Sequence, residues 1–160
     1  MDKLWAPWRI GYVAKKKKEY CIFCRIAKEK NDKKNYICLR SQYCFAVLNT
    51  FPYNNGHILI VPYRHIARWD KITTTELTDI NETLKKILKF EENILKPHGF
   101  NIGMNLGEAS GAGIAQHLHI HIVPRWRSDA NFMPTIAAAR IIPQSLDELW
   151  ARLNKELKKI

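Results

Sequence analysis

Apolar positions along this chain recur at helical spacing in two stretches and crowd into short strand-like runs in four others. The clearest helix starts at Thr73. Thr73-x-x-Glu76 is a capping box, and Leu77, Ile80, Leu84, Ile87, Leu88, Ile94 and Leu95 follow on one face, with Pro97 and Gly99 to end it. A second box, Ser145-x-x-Glu148, opens an amphipathic terminal helix marked by Leu146, Leu149, Trp150, Leu153 and Leu157. Strands are expected at Tyr43–Leu48, at His57–Val61 (stopped by Pro62), at Asn101–Asn105 and over the stretch Gln116–Arg125. Asn49–Gly56 is turn chemistry, longer than a tight hairpin needs and with room to serve a ligand. A short helix is expected after Cys24, fading in the polar stretch Lys28–Asn35. Strands with segregated helices predict an α+β fold built on an antiparallel sheet. The expected organisation is one domain over residues 1–160, with a basic, Trp-containing extension at 1–20 and a C-terminal extension at 126–160 that carries the last helix.

Charge narrows the partners. The net charge is +11, and residues 1–35 hold eleven Lys/Arg against four Asp/Glu, so +7 of it lies there. Such a balance suits polyanions: nucleotides, nucleic acid or an acidic membrane surface. Lys15–Lys18 reads either as a solvated loop or as a nucleic-acid contact, and with no stacking-aromatic RNA module in the chain the loop is favoured. No apolar run approaches the ~20 residues of a membrane span, and Met1–Arg9 lacks the apolar core of an export signal. A cytoplasmic protein without membrane contact is expected. Trp5 and Trp8 must pack on this domain or on a partner. Four cysteines in such a chain argue against disulfides: Cys38 and Cys44 read as buried thiols, and Cys21-x-x-Cys24 as a metal or redox pair.

The chemistry concentrates in Gln116-His117-Leu118-His119-Ile120-His121-Ile122-Val123-Pro124-Arg125, which holds half of the six histidines. Alternate side chains of a strand share a face, so His117, His119 and His121 form one row. Neutral imidazole is nucleophilic at pH 7 and attacks phosphorus without a large pKa shift; three imidazoles also suit a metal. Both readings are open on the residues alone. The small-residue loop before the row, Asn105–Gly113, reads as a flexible connection or, beside histidines, as a phosphate cradle of backbone N–H groups.

The pattern His-apolar-His-apolar-His-apolar-apolar resembles that of the histidine triad family of nucleotide hydrolases and transferases. The resemblance runs at least from Cys21 to Pro124. It implies a five-stranded antiparallel sheet with a long helix, paired with a second subunit as a homodimer, and a purine nucleotide as substrate. It implies that His119 is the nucleophile that becomes nucleotidylated, that His121 lies on the phosphate side, and that His57 of Gly56-His57 supports them. Asn49, eight residues before His57, stands where the family holds the ribose hydroxyls, and Asn there tilts toward dinucleoside polyphosphates. The substrate-binding set implied is Asn49, Asn105, Ser110, Gly111, Gly113 and His121. Zinc-bearing members use two cysteines, a Pro-x-x-His histidine and the first triad histidine: here Cys21, Cys24, His65 and His117, a closed structural zinc site. Gly113 and Ile114 stand where much of the family has Gln and Ser/Thr, so the usual side-chain donors are missing, with Ser110, backbone amides or residues after Arg125 to replace them. The segment Pro124–Met133 and the N-terminal Leu4–Arg9 resemble a bacterial subgroup that includes diadenosine tetraphosphate phosphorylases. There Arg125 and Arg127 either hold an anionic acceptor or are surface charge.

Overall fold

The computed structural model describes residues 21–127, 129 and 142–157. The extension at 1–20, with its tryptophans and lysine run, and most of 128–141 therefore lie outside the described residues. Five strands, β1 (Ile37–Arg40), β2 (Cys44–Leu48), β3 (Ile58–Pro62), β4 (Gly99–Gly103) and β5 (Ile120–Arg125), make one antiparallel sheet in the order β1-β2-β3-β5-β4. Helices are α1 (Ile22–Lys28), a single turn α2 (Asp32–Asn35), the long α3 (Thr74–Leu95) and α4 (Leu146–Leu157). This is the expected α+β architecture. The fifth strand, β1, is the one the apolar pattern did not mark. Its four residues, Ile-Cys-Leu-Arg, are too short a run to stand out, and its pairing with β2 makes it a strand.

The near-continuous apolar runs of β2 and β3 follow from having both faces of the sheet covered. Cys44, Ala46, Leu48, Ile58, Ile60, Ile120 and Ile122 face α3 and α4, meeting Ile80, Ile87, Leu149 and Leu153. The alternate residues Phe45, Val47, Leu59 and Val61 face the other way, onto Phe23 and Ile26 of α1. Cys38 and Cys44 are buried free thiols within the first of these cores, as expected. Burial pushes both upward, Cys44 to about 12.

The helix start at Thr73 carries its whole expected box, and that at Ser145 the half in which Ser145 accepts. Thr73 caps α3 with the full reciprocal box, and Ser145 Oγ accepts from Glu148 N–H at the start of α4. The α3 helix stops at Leu95 with Lys96 in a left-handed conformation, and Gly99 belongs to β4 rather than to the helix end. Glu76 has a second task. Its carboxylate takes a bidentate pair from Arg64 (2.8 and 2.7 Å), which locks the segment after β3 onto the start of α3. That pairing holds the Glu76 carboxyl down at about 2. At the end of β1 Arg40 donates to the carbonyls of Ala27 and Glu29 at the C-terminal end of α1 and to Asp32, so it fastens α1 to β1.

Candidate active site and metal centre

The strand expected over 116–125 begins only at Ile120, which corrects the reading of the histidines as one strand row. His117 stands at a bend, its N–H donating to Ile114 O (3.3 Å), and His119 lies between it and β5, because there the chain bonds to the segment after β3 instead of to a strand: Leu118 N–H donates to Ile66 O (2.6 Å). The order along the chain is kept all the same. The ring centroids of His119 and His121 are 5.0 Å apart, those of His121 and His57 5.0 Å, and those of His65 and His117 4.9 Å. His57 sits beside the row because β3 pairs with β5, Leu59 opposite His121.

Backbone partners assign each tautomer, since a carbonyl only accepts and an amide N–H only donates. His117 Nε2 donates to Pro62 O (2.9 Å), which leaves its Nδ1 lone pair facing the cysteines. His119 Nδ1 donates to His117 O (2.8 Å), which leaves the lone pair on Nε2. His57 Nδ1 accepts from Tyr53 N–H (3.0 Å), with the Asn49 amide at 3.3 Å. His57 Nε2 therefore donates to His121 Nδ1 (2.8 Å). It follows that His121 carries its proton on Nε2, a buried atom that has no partner among the described residues. The four rings thus present a lone pair on His119 Nε2, an N–H on His121 Nε2, a bridge between Tyr53 and His121 on His57, and a lone pair toward the cysteines on His117. Burial disfavours the charged form of all four. His57 is pushed down to about 3, and His117 and His121 to about 4; His119 is lowered as well.

Ring packing adds two residues that the motifs did not reveal. Phe23, between the two cysteines, meets His117 edge-on at 5.5 Å and His119 at 5.2 Å. Tyr53 lies parallel to His121, 10° between planes and 5.5 Å between centroids, and 4.6 Å from His57. An apolar residue inside Cys-x-x-Cys and an aromatic in a polar turn were the available signals. Gly56, before His57, has φ +79°, and a Cβ there would stand 2.6 Å from Leu95 and 2.9 Å from Pro124. The glycine lets the turn press against α3 and β5.

Of the remaining expected residues Asn49 touches His57, and the others lie in the chain between β4 and His117. The Asn49 side chain closes its own turn, Oδ1 accepting from Phe51 N–H (2.9 Å). Asn105 is half-buried after β4. Ser110 and Gly111 belong to a single exposed 3₁₀ turn, Glu108–Ser110 and its cap. Ser110 Oγ donates to Gly107 O there, and Gly113 is exposed in the loop that leads back to His117. Arg125 does not face this centre as a free cation. It gives a bidentate pair to Asp129 (2.6 and 2.9 Å) and a third bond to Asn101 (2.6 Å). Asp129 also accepts from Asn54, which donates to Pro124 O as well, so this part of the Pro-Arg-Trp stretch braces the Asn54-Asn55-Gly56 turn. Trp126 Nε1 donates to Leu95 O at the end of α3.

Cys21, Cys24, His65 and His117 converge, their donor atoms all within 4.8 Å of one another. Cys21 Sγ lies 3.2 Å from His117 Nδ1, Cys24 Sγ 3.2 Å from His65 Nδ1 and 3.5 Å from His117 Nδ1. Tetrahedral zinc, with bonds of about 2.3 Å to sulfur and 2.0–2.1 Å to nitrogen, sets its donors roughly 3.4–3.8 Å apart, so a set spanning 3.2 to 4.8 Å, with two thiols and two imidazoles, suits such an ion after shifts of up to about 1 Å. The Pro62 carbonyl behind His117 Nε2 is the outer support such a ligand needs. Burial first, and the adjacent Cys21 next, push the Cys24 thiol upward; a divalent cation among the four would reverse that balance. Four protein donors leave no open position, so a metal here ties α1 to the lead-in of β5 and supplies no reaction site.

A sheet of this order with a histidine row beside its central strands defines a histidine triad architecture. The sequence profile of the HIT domain matches residues 30–128, and the chain belongs to that family. It is 35% identical, over 95% of its length and 86% of the relative's, to the AP-4-A phosphorylase of Mycobacterium tuberculosis. It is 32% identical to the asymmetrical bis(5'-nucleosyl)-tetraphosphatase of Schizosaccharomyces pombe, over 56% of this chain and 49% of that one. In structure it resembles a zinc-bound histidine triad family protein from Mycobacterium smegmatis, with a TM-score of 0.69 at 21% identity, covering 87% of this chain and 94% of that one.

Proposed function

We propose that this chain is a nucleotidyl hydrolase or transferase that cleaves dinucleoside polyphosphates at the α-phosphate. The observation that carries the reading is the pair of free ring nitrogens: a lone pair on His119 Nε2 beside an unpartnered N–H on His121 Nε2. The His119 lone pair attacks the α-phosphorus, and the P–O bond to the polyphosphate breaks. A nucleotidyl-histidine and a free nucleoside polyphosphate result. Negative charge gathers on the non-bridging oxygens as this happens, and the His121 N–H is a preorganised donor for it. Loop amides between Gly107 and Gly113 are the proposed further donors in place of the missing side chains. Water or phosphate then displaces His119.

The likeness to a phosphorylase over nearly the whole chain favours phosphate as acceptor. Asn49, Asn105, Ser110, Gly111 and Gly113 are proposed to line the nucleotide path, with Cys21, Cys24, His65 and His117 holding structural zinc. The outer edge of β4, with exposed Ile102, is where a second copy would extend the sheet. Four free cysteines fit a reducing, cytoplasmic compartment, and no described helix is long and apolar enough to cross a membrane.

Incubation with diadenosine tetraphosphate tests the reading. ATP plus ADP formed only when phosphate is present identifies the phosphorylase, and ATP plus AMP without phosphate the hydrolase. Turnover confined to an adenosine phosphoramidate would move the chain to the phosphoramidase branch, and no product from any substrate would refute an enzymatic role. His119→Ala is expected to fold, keep its metal and lose at least about 1,000-fold in turnover, as removal of a nucleophile does. Wild-type turnover in that variant would rule out His119 as the nucleophile.

A further inference from the structure

Tyr53 is exposed over about half its surface (48%), yet it is tied to the histidine pair by three separate contacts. Its main-chain N–H donates to His57 Nδ1 at 3.0 Å. Its ring lies 4.6 Å from that of His57 and parallel to that of His121. None of this is needed for the core, whose two clusters do not include Tyr53. A tyrosine in a turn of Asn, Pro and Gly is also not demanded by the turn itself. We propose that Tyr53 is a positioning residue for the reaction of this site: its N–H sets the tautomer of His57, and through it that of His121, while its ring holds the His121 imidazole with Nε2 toward the substrate.

The direction of the hydrogen bonds fixes these tautomers. Each imidazole has two tautomers of similar energy in water, and a His–His pair alone can run in either direction. The Tyr53 amide cannot accept, so it forces His57 Nδ1 to be the unprotonated nitrogen. The proton then sits on His57 Nε2, the His121 Nδ1 accepts it as a hydrogen bond, and His121 must carry its own proton on Nε2. In the reversed pair His121 would present a lone pair to an anionic phosphate, a repulsive contact in place of a donor. Direction is supplied by the backbone, and the ring supplies aim. An offset parallel stack limits rotation of His121 about its χ2, and the body of the phenol screens the His57–His121 bond from water, which competes for both ring nitrogens. His57 is 1% exposed although it stands at the mouth of a surface turn.

The inference rests on the proposed reaction for its consequence, but the tautomers are measurable without turnover. The test uses the full-length protein with Tyr53→Ala, Tyr53→Leu and Tyr53→Phe, histidine-selective ¹⁵N labelling and long-range ¹H–¹⁵N spectra, beside steady-state kinetics with diadenosine tetraphosphate. In the wild type the spectra should show His57 and His121 both protonated on Nε2. Tyr53→Ala and Tyr53→Leu, which keep the amide and lose the stack, should keep His57 in that form. They should broaden His121 or mix its tautomers, and lower kcat about 10- to 100-fold with little change in KM. Tyr53→Phe, with the ring restored, should recover most of the loss. Two outcomes overturn the proposal: wild-type spectra with His57 protonated on Nδ1, or Tyr53→Ala and Tyr53→Leu with unchanged His121 resonances and unchanged kcat. A wild-type protein with no turnover on any nucleotide refutes the enzymatic reading instead, and the spectra still decide the role of Tyr53.

Discussion

Glu91 carries a carboxyl that is fully buried on α3, with neither oxygen hydrogen-bonded among the described residues. Burial pushes that carboxyl well above the usual carboxylate range, so the helix carries an uncompensated polar group in its core. Glu91→Met, which keeps the length and removes the orphaned oxygens, is expected to stabilise the fold by about 1–3 kcal/mol in urea unfolding. A loss of stability would mean that the carboxyl has a partner in solution. Its neighbour Gly56 has the opposite sensitivity. A methyl there meets both a positive φ and contacts of 2.6 and 2.9 Å, so Gly56→Ala should cost about 2 kcal/mol or more and displace His57 with the turn. Single residues thus differ in what they ask of the fold: Gly56 serves the position of a histidine, and Glu91 is tolerated.

At the scale of elements, the segment from Cys21 to Lys28 joins structure to chemistry. Two of the four converging donors come from its start, and Phe23 of α1 touches both the candidate ligand His117 and the nucleophile candidate His119. Cys24→Ser and His65→Ala are each expected to lose bound zinc, read by atomic emission, and to lower Tm on the order of 10 °C. Full metal content and unchanged Tm in both variants would refute the metal centre. The capping boxes at Thr73 and Ser145, the apolar stripe of α3 and the two long inner strands were legible because each is a local signal, encoded within one or two turns or one strand. Strand β1 and the true start of β5 were not. Four residues beside a longer partner become a strand only when the partner is there, and His117 and His119 leave the ladder because Leu118 bonds to Ile66, 52 positions earlier.

For the molecule as a whole, burying neutral histidines makes stability depend on pH with a definite sign. His57 has its pKa at about 3 and His121 at about 4 when folded, against 6.5 in the unfolded chain. Between those values the unfolded chain binds more protons, so the stabilisation is complete above pH 6.5 and is lost progressively as pH falls toward 4 and then 3. Urea midpoints measured from pH 7.5 down to 5.5 with the metal retained should fall, and the fall should shrink in a His57→Gln variant. A flat profile would mean that both rings are hydrated in the native state.

The chain alone determined the α+β class, the two capped helices, the family and the residue types of the metal and histidine clusters, since these depend on local pattern and on spacing along the sequence. On the residues alone the use of each histidine stayed open between metal and nucleophile, and the resemblance implied a division without saying which way each ring is turned. Tertiary structure decides the ring orientations: the Pro62 carbonyl leaves His117 Nδ1 facing the cysteines, the His117 carbonyl leaves His119 Nε2 with its lone pair, and the Tyr53 amide sets His57 and His121. A tautomer is chosen by whichever backbone group faces the ring, and for His57 and, through it, His121 that group is the Tyr53 amide, 68 positions before His121 in sequence. Only folding brings such groups together.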